Sequence, residues 1–139
     1  MTTDPSRVVE RIRAATDAHD LEALVECFAE SYRNETPAHP GRGFDGRRQV
    51  RQNWERIFAG VPDIRADVLR MTVDDGVVWS EWVMRGTRPD GVAHLMRGVI
   101  IFGINDDHAE WARFYLEPVD AGDDGIDGAV GRVVAEPRR

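Results

Sequence analysis

Tyr32 and Asn34 are candidate catalytic residues because of their types and their spacing. They lie two positions apart in the short segment Tyr32–Thr36, which we expect to be extended. Side chains at positions i and i+2 of a strand point to the same face, so both groups can reach one pocket. A phenol and a carboxamide can orient a water molecule or hold a carbonyl oxygen, but neither is a good base near neutral pH.

Three further residues are candidate bases. His39 lies in the proline- and glycine-rich loop that follows this segment, and His94 lies at the start of a later strand. Histidine is the natural base near neutral pH, although a lone histidine in a loop is more often a surface residue. Glu35 is the third candidate, because a carboxylate beside an apolar pocket has a raised pKa, but alternation along the strand turns it away from Asn34. The spacing of these three residues matches no known set of metal ligands, so we predict no metal site.

The composition argues against several classes of partner and limits what cysteine can do. The chain has 139 residues, with 25 acidic and 18 basic side chains and a net charge of −7. This balance argues against a surface for nucleic acid or for an anionic membrane. Cys27 is the single cysteine, so neither an internal disulfide nor a cysteine-based metal site can form. The first residues lack the basic and apolar regions of a signal peptide, and no apolar run could span a bilayer, so the predicted location is cytoplasmic.

Three helices are predicted in the first 60 residues. Asp4 followed by Pro5 starts the first, which runs to about Asp17. Asp20 caps a short second helix, whose apolar face carries Leu21, Leu24, Val25 and Phe28. The third covers residues 46–59, and its apolar stripe consists of Val50, Trp54, Ile57 and Phe58. The arginine-rich opposite face of this helix is interpreted as solvated rather than as an anion site.

Strands are predicted for most of the remaining chain. Runs rich in β-branched and aromatic residues, separated by turn residues, cover residues 64–73, 77–85, 94–104 and 108–117, as in an antiparallel meander. An acidic hinge then leads to a short tail helix over residues 126–134. The predicted fold class is α+β, with three helices packed against one face of a curved antiparallel sheet. Residues 1–118 are expected to form the domain, and residues 119–139 a C-terminal tail.

The hairpin loops predict which side chains face the helices. In the last hairpin, a three-residue loop pairs Gly98 with Phe114. In the hairpin before it, a five-residue loop places Met84 beside His94. Together with the alternation of apolar residues, this pairing predicts a concave face made of Trp82, Met84, Met96, Gly98, Ile100, Phe114 and Leu116.

The concave face is the predicted ligand site. Two aromatic residues, two methionines and the space beside Gly98 suit a flat or hydrophobic molecule. We expect ligand contacts from Trp54, Trp82, Met84, His94, Met96, Gly98 and Phe114. The alternative is a filled core without a cavity, because apolar side chains beneath three helices can simply pack together.

The opposite, outer face of the sheet is predicted to be a subunit interface. It carries Glu81, Arg97, Arg113 and Tyr115. A cross-strand Glu–Arg pair beside a tyrosine could suggest catalysis, but it more often marks a polar sheet surface or an interface. We therefore predict a homodimer through this face.

The order of these elements, with several short phrases, resembles the nuclear transport factor 2-like superfamily and, within it, the SnoaL-like branch. The phrases are Asp20–Leu24, Phe44–Gly46, Ser80–Trp82 with Gly86–Thr87, and Arg97–Val99 with Arg113–Tyr115. The resemblance covers about residues 6 to 118. It implies a cone-shaped, mostly apolar pocket between the helices and the sheet, and an outer sheet face that often forms a dimer. It does not imply one activity, because this fold hosts many functions.

Two enzymes of the superfamily indicate how far the resemblance extends. The water-positioning Tyr-x-Asn of limonene epoxide hydrolase is similar to Tyr32-Arg33-Asn34. The positions of its Asp-Arg-Asp machinery hold Trp82, Met84 and Phe114. The positions of the general base and the oxyanion tyrosine of ketosteroid isomerase hold Asn34 and Ile12, and its second oxyanion position falls near Ile100. The resemblance therefore implies neither mechanism. The first lacks a carboxylate to activate water and an arginine between two carboxylates, and in the second asparagine cannot abstract a proton near neutral pH.

Two functions are consistent with these residues. The first is a cofactor-independent isomerase, cyclase, dehydratase or hydrolase acting on a hydrophobic, carbonyl-bearing substrate, in which Tyr32 and Asn34 orient the substrate and His39 or Glu35 moves the proton. The second is a non-catalytic module that binds an apolar ligand or a partner's peptide. The missing carboxylates favour the second function, and the Tyr-x-Asn pair favours the first. The expected partners are a small hydrophobic molecule and a second copy of the chain, without nucleic acid, membrane or cofactor.

Overall fold

The computed structural model describes residues 4–122 and 124–135, which form four helices and a six-stranded sheet, with the first three helices on one face of the sheet. The helices are α1 (Pro5–Ala18), α2 (Leu21–Glu26), α3 (Arg47–Gly60) and α4 (Ile126–Ala135). The strands are β1 (Phe28–Glu35), β2 (Phe44–Asp45), β3 (Arg65–Asp74), β4 (Val77–Thr87), β5 (Ala93–Asn105) and β6 (His108–Pro118). A single 3-10 turn covers Pro40–Arg42, between β1 and β2. The α+β class and the packing of helices on a curved sheet confirm the predicted fold.

The sheet has the order β2-β1-β6-β5-β4-β3 and is mixed rather than wholly antiparallel. β3 to β6 form the predicted antiparallel meander. β1 pairs in parallel with β6, with Glu35 opposite Arg113. Because β1 ends opposite Arg113 while β6 continues to Pro118, the loop that follows β1 runs beside the last residues of β6.

Local signals explain where the first two helices begin. The Asp4 carboxylate accepts a hydrogen bond from the Ser6 backbone N–H at 3.0 Å, and Pro5 occupies the first position of α1. Asp20 caps α2 by accepting from the Ala23 N–H at 3.1 Å. These bonds satisfy backbone donors that lack partners within the helix, as the sequence predicted.

The prediction that Phe28 lies on the apolar face of the second helix is wrong. α2 ends at Glu26, and Cys27 is its capping residue. Phe28 begins β1 and pairs with Ala109 of β6, so hydrogen bonding to the sheet replaces a further helical turn. The Cys27 side chain is buried and its thiol donates to the Ala23 carbonyl oxygen, and burial raises the pKa of this thiol, as suits a structural cysteine.

Both predicted hairpin registers are wrong by two residues. The β5–β6 turn has two residues, Asp106 and Asp107, both with positive φ, and a bulge follows, so that Gly98 lies opposite Leu116 rather than Phe114. In the β4–β5 hairpin, Met84 lies opposite Met96 rather than beside His94. Because side chains alternate with a period of two, a shift of two residues leaves every side chain on its predicted face.

The core lies between the helices and the concave face of the sheet. Its largest fully buried side chains include Trp82, Tyr32, Phe102, Leu24 and Ile64. The outer face is more open, and the side chains of Trp79 and Tyr115 are 50% and 43% exposed. The inward orientation of Trp82 and the outward orientation of Tyr115 confirm the predicted faces.

The C-terminal segment forms α4, close to the predicted bounds of the tail helix. Its apolar side chains at Ile126, Val130, Val133 and Val134 are exposed. Asp123 of the predicted hinge lies outside the described residues. The division into a domain over 1–118 and a tail stays a prediction. Within the described part of the chain, every helix is too short or too polar to cross a bilayer.

Candidate functional site

A cavity of about 380 Å³ lies between α3 and the concave face of the sheet. Strands β1, β4, β5 and β6 supply one wall, and α3 with the segment around β2 supplies the other. The lining consists of Phe28, Tyr32, Asn34, Thr36, Arg42, Phe44, Val50, Asn53, Trp54, Ile57, Ile64, Met84, His94, Met96, Phe114 and Leu116. Most of these side chains are apolar, and the volume falls in the range of small-molecule sites. The alternative of a filled core is therefore wrong.

Tyr32 and Asn34 lie together in this cavity, as alternation along β1 predicted. The Tyr32 hydroxyl donates a hydrogen bond to the Asn34 Oδ1 at 2.7 Å, and both side chains are buried. Burial raises the pKa of the Tyr32 hydroxyl, because a phenolate would be poorly solvated there. Tyr32 is therefore a neutral hydrogen-bond donor near physiological pH rather than a base.

The cavity changes from apolar to polar toward its mouth. Phe28 and Ile64 are buried, whereas Arg42 is exposed. Two further polar members of the lining are half-buried: His94 lies near the start of β5, and Thr36 directly follows β1. A bound molecule would thus meet mostly apolar side chains and the Tyr32–Asn34 pair in the buried part of the cavity, and polar or charged groups where the lining is more exposed.

Two predicted bases lie outside the cavity lining. The Glu35 carboxylate accepts a hydrogen bond from the Arg113 Nε at 3.0 Å on the outer face, because β1 continues through Glu35 and keeps its alternation. The His39 Nε2 contacts the Glu117 carboxylate, and Glu117 also belongs to the outer face of β6. Neither Glu35 nor His39 therefore lies where a ligand in the cavity would contact it. His94 is the histidine that lines the cavity.

Two predicted ligand contacts also lie outside the lining. Trp82 is fully buried in the core, where its indole Nε1 donates to the Ser80 Oγ at 2.8 Å. Gly98 has a φ of +149°, and a Cβ there would lie 2.0 Å from the Tyr115 carbonyl oxygen. This glycine permits a close approach of β6 rather than leaving space for a ligand. The other predicted contacts, Trp54, Met84, His94, Met96 and Phe114, line the cavity.

Three polar members of the lining, Thr36, Arg42 and Asn53, are not among the site residues predicted from the sequence. Asn53 falls in the i, i+3, i+4, i+7 pattern of Val50, Asn53, Trp54 and Ile57, so a polar residue in an apolar stripe was a readable signal. Arg42 lies in a 3-10 turn of an irregular loop, where no periodicity shows the direction of a side chain. Among the residues that the structure describes, no three histidine, cysteine or acidic side chains cluster as metal ligands would.

The sequence matches the SnoaL-like domain over residues 9–114. A comparison with curated protein sequences gives no match. Wild-type IdmH from Streptomyces antibioticus, a proposed polyketide cyclase, superposes with a TM-score of 0.71 at 22% identity, over 82% of this chain and 92% of that one. RV0760c from Mycobacterium tuberculosis, in complex with estradiol-17beta-hemisuccinate, gives 0.70 at 17% identity, over 81% and 94%. At these identities the similarity shows a shared fold.

Proposed function

The chain belongs to the SnoaL-like domain family, and from that membership we propose that it binds a hydrophobic small molecule that carries a carbonyl group. The observation that carries this proposal is the cavity, which combines a largely apolar lining with the buried Tyr32–Asn34 pair. The hydrophobic body of the ligand would displace water from apolar walls, and the pair would fix its orientation. Two proteins of the same fold support this choice, since one is a proposed polyketide cyclase and the other holds estradiol-17beta-hemisuccinate.

Asn34 is the residue proposed to hold the ligand carbonyl. Its Oδ1 already accepts the hydrogen bond from the Tyr32 hydroxyl. The Nδ2 hydrogens of Asn34 are then the donors that a carbonyl oxygen in the cavity would accept from. The hydrogen bond from Tyr32 also fixes the orientation of the carboxamide. Both groups are buried, so rotating the carboxamide would cost free energy by leaving the Tyr32 hydroxyl without an acceptor.

Catalysis is the second candidate function, and the position of His94 favours it. His94 lines the same cavity as Asn34, so a carbonyl held at Asn34 would place its neighbouring carbon within the same space. The neutral imidazole could accept a proton from that carbon while the electron pair moves onto the carbonyl oxygen, and could return the proton to another position of the ligand. This step would serve an isomerase, a cyclase or a dehydratase without a cofactor.

The carbonyl assignment predicts a specific loss of affinity in Asn34→Leu. We expect wild type to bind 2-acetylnaphthalene about three- to tenfold more tightly than the isosteric hydrocarbon 2-isopropenylnaphthalene, because the ketone gains one hydrogen bond. Asn34→Leu should remove this preference and leave the affinity for the hydrocarbon nearly unchanged. Isothermal titration calorimetry measures both constants.

Asn53→Leu is the matched control, since Asn53 lines the cavity from α3 and its Oδ1 already accepts from the Gln49 Nε2 at 2.8 Å. It should keep the preference for the ketone. Failure of both probes to bind wild type would contradict the proposed function. Turnover of enones or diketones by wild type that is lost in His94→Gln would support an enzyme, whereas binding without turnover would support a binding module.

We also propose that two copies associate through the outer sheet face. This face exposes the aromatic side chains of Trp79 and Tyr115 beside the charged groups of Arg97 and Arg113. Aromatic and arginine side chains are enriched at protein interfaces. Light scattering at micromolar concentration should give twice the mass of one chain. Tyr115→Arg should give a folded monomer, because it adds a like charge beside two arginines, and a monomeric wild type would contradict the proposal.

A further inference from the structure

Arg42 gives the candidate cavity its charge. Among the described residues that line the cavity, it alone carries a permanent charge, and no carboxylate lies in that lining. The chain as a whole has an excess of acidic residues and a net charge of −7. The cavity lining therefore carries a positive charge although the chain as a whole is negatively charged, and the overall composition does not explain this difference.

The guanidinium of Arg42 is available to a ligand. Its side chain is 63% exposed, and the Glu117 Oε2 lies 3.9 Å from its NH1. That separation is too long for a hydrogen bond. Glu117 instead makes its close contact with His39. Glu117 therefore weakens the positive charge at the mouth of the cavity without occupying the donors of Arg42.

The backbone holds Arg42 at this place. Its N–H donates to the His39 carbonyl oxygen at 2.9 Å, and the Gly43 N–H closes the same 3-10 turn on Pro40 at 3.2 Å. The arginines of α3 are placed differently, since the Arg47 Nε donates to the Phe28 carbonyl oxygen and Arg51 pairs with Glu22. None of the α3 arginines belongs to the described cavity lining. An anion site at this cavity would therefore depend on Arg42.

We propose that the ligand is an amphiphile with a carboxylate, whose hydrophobic body fills the cavity and whose charged group lies on Arg42 at the mouth. This inference rests on the proposed function and adds the chemical class of the ligand. An arginine fork matches the two oxygens of a carboxylate, and a charge-assisted hydrogen bond is stronger than a neutral one. The buried apolar end of the cavity gives the complementary reason for a hydrophobic body.

A pair of probes that differ only in charge tests the inference. 2-Naphthylacetic acid and 2-naphthylacetamide have nearly the same shape, but only the acid is an anion at pH 7. We expect wild type to bind the acid about tenfold more tightly than the amide in low salt, and the preference to fall as salt is added. Arg42→Gln should abolish the preference while leaving the affinity for the amide within about twofold. Arg42→Lys should retain part of it.

Two further variants separate the role of Arg42 from a general charge effect. Arg48→Gln removes one positive charge from an exposed position of α3 outside the cavity lining, and it should keep the preference for the acid. Glu117→Gln should increase the preference, because it removes the negative charge beside Arg42. Equal affinity of wild type for the acid and the amide would overturn the inference while leaving the proposed function standing. If no naphthalene probe binds, charged or neutral, the proposed function fails and the inference fails with it.

Discussion

Gly98→Ala is expected to lower the free energy of unfolding by about 3 kcal/mol or more, as the sum of backbone strain and overpacking. Gly98 has a φ of +149°, a conformation that side-chain-bearing residues rarely adopt. The added Cβ would lie 2.0 Å from the Tyr115 carbonyl oxygen and 2.9 Å from the Leu116 Cα. Both contacts are with the backbone of the neighbouring strand, so relief requires β5 and β6 to separate. Urea unfolding followed by circular dichroism measures the loss.

Gly60→Ala is the control for this prediction. Gly60 is the last residue of α3, and a Cβ there would meet no atom within 4 Å. Alanine at this position should change stability by no more than about 1 kcal/mol, since only helix propensity is altered. If Gly98→Ala were as stable as wild type, the claim that β6 lies too close to residue 98 for a side chain would be contradicted. Gly98 would then again be a candidate for leaving space for a ligand.

Trp82→Ala is expected to cost about 3–5 kcal/mol of stability, the usual range for removing a buried large aromatic side chain. Trp82 is fully buried, and its indole N–H donates to the Ser80 hydroxyl at 2.8 Å. The Ser80 Oγ in turn donates to the Ile100 carbonyl oxygen at 2.6 Å. The substitution therefore leaves a cavity and removes one member of a buried hydrogen-bonded chain. Thermal or urea unfolding measures the effect.

Trp54→Ala is the matched comparison, because Trp54 is half-buried and lines the candidate cavity. This variant should lose less stability than Trp82→Ala but should bind 2-acetylnaphthalene more weakly. Trp82→Phe, which keeps an aromatic ring, should bind the probe with nearly wild-type affinity once its folded fraction is taken into account. If fully folded Trp82→Phe bound the probe much more weakly than wild type, Trp82 would have to be a ligand contact after all.

The faces of the sheet could be predicted from the sequence, whereas the register could not. The alternation of apolar residues along a strand has a period of two. It therefore places Met84 and Phe114 on the inner face of the sheet, whichever residues lie opposite them on the neighbouring strands. Register depends on the turns. Whether a hairpin loop has two or three residues depends on the backbone conformation of one or two residues, which residue type does not determine. Asp106 and Asp107 both adopt positive φ, which shortens the turn, and a bulge at Gly103 and Ile104 adds a further shift. Nothing in residue type alone marks that bulge.

The candidate site divides in the same way between strands and loops. Tyr32 and Asn34 could be paired from their spacing, because β1 carries both to one face. The same alternation, continued through Glu35, turns that carboxylate to the outer face. His39 and Arg42 lie in a loop, where neither spacing nor polarity shows which of them reaches the cavity. Arg42, which the sequence did not mark as a site residue, is the one that lines the cavity.

The parallel pairing of β1 with β6 has a consequence for how such a protein can diversify. The loop after β1 reaches the end of β6 through the contacts of His39 and Arg42 with Glu117. These residues add little to the packed interior, which Trp82 and its neighbours maintain. Mutations at the mouth can therefore accumulate with small effects on folding, and a duplicated gene could acquire a new specificity by exchanging one loop on an unchanged scaffold.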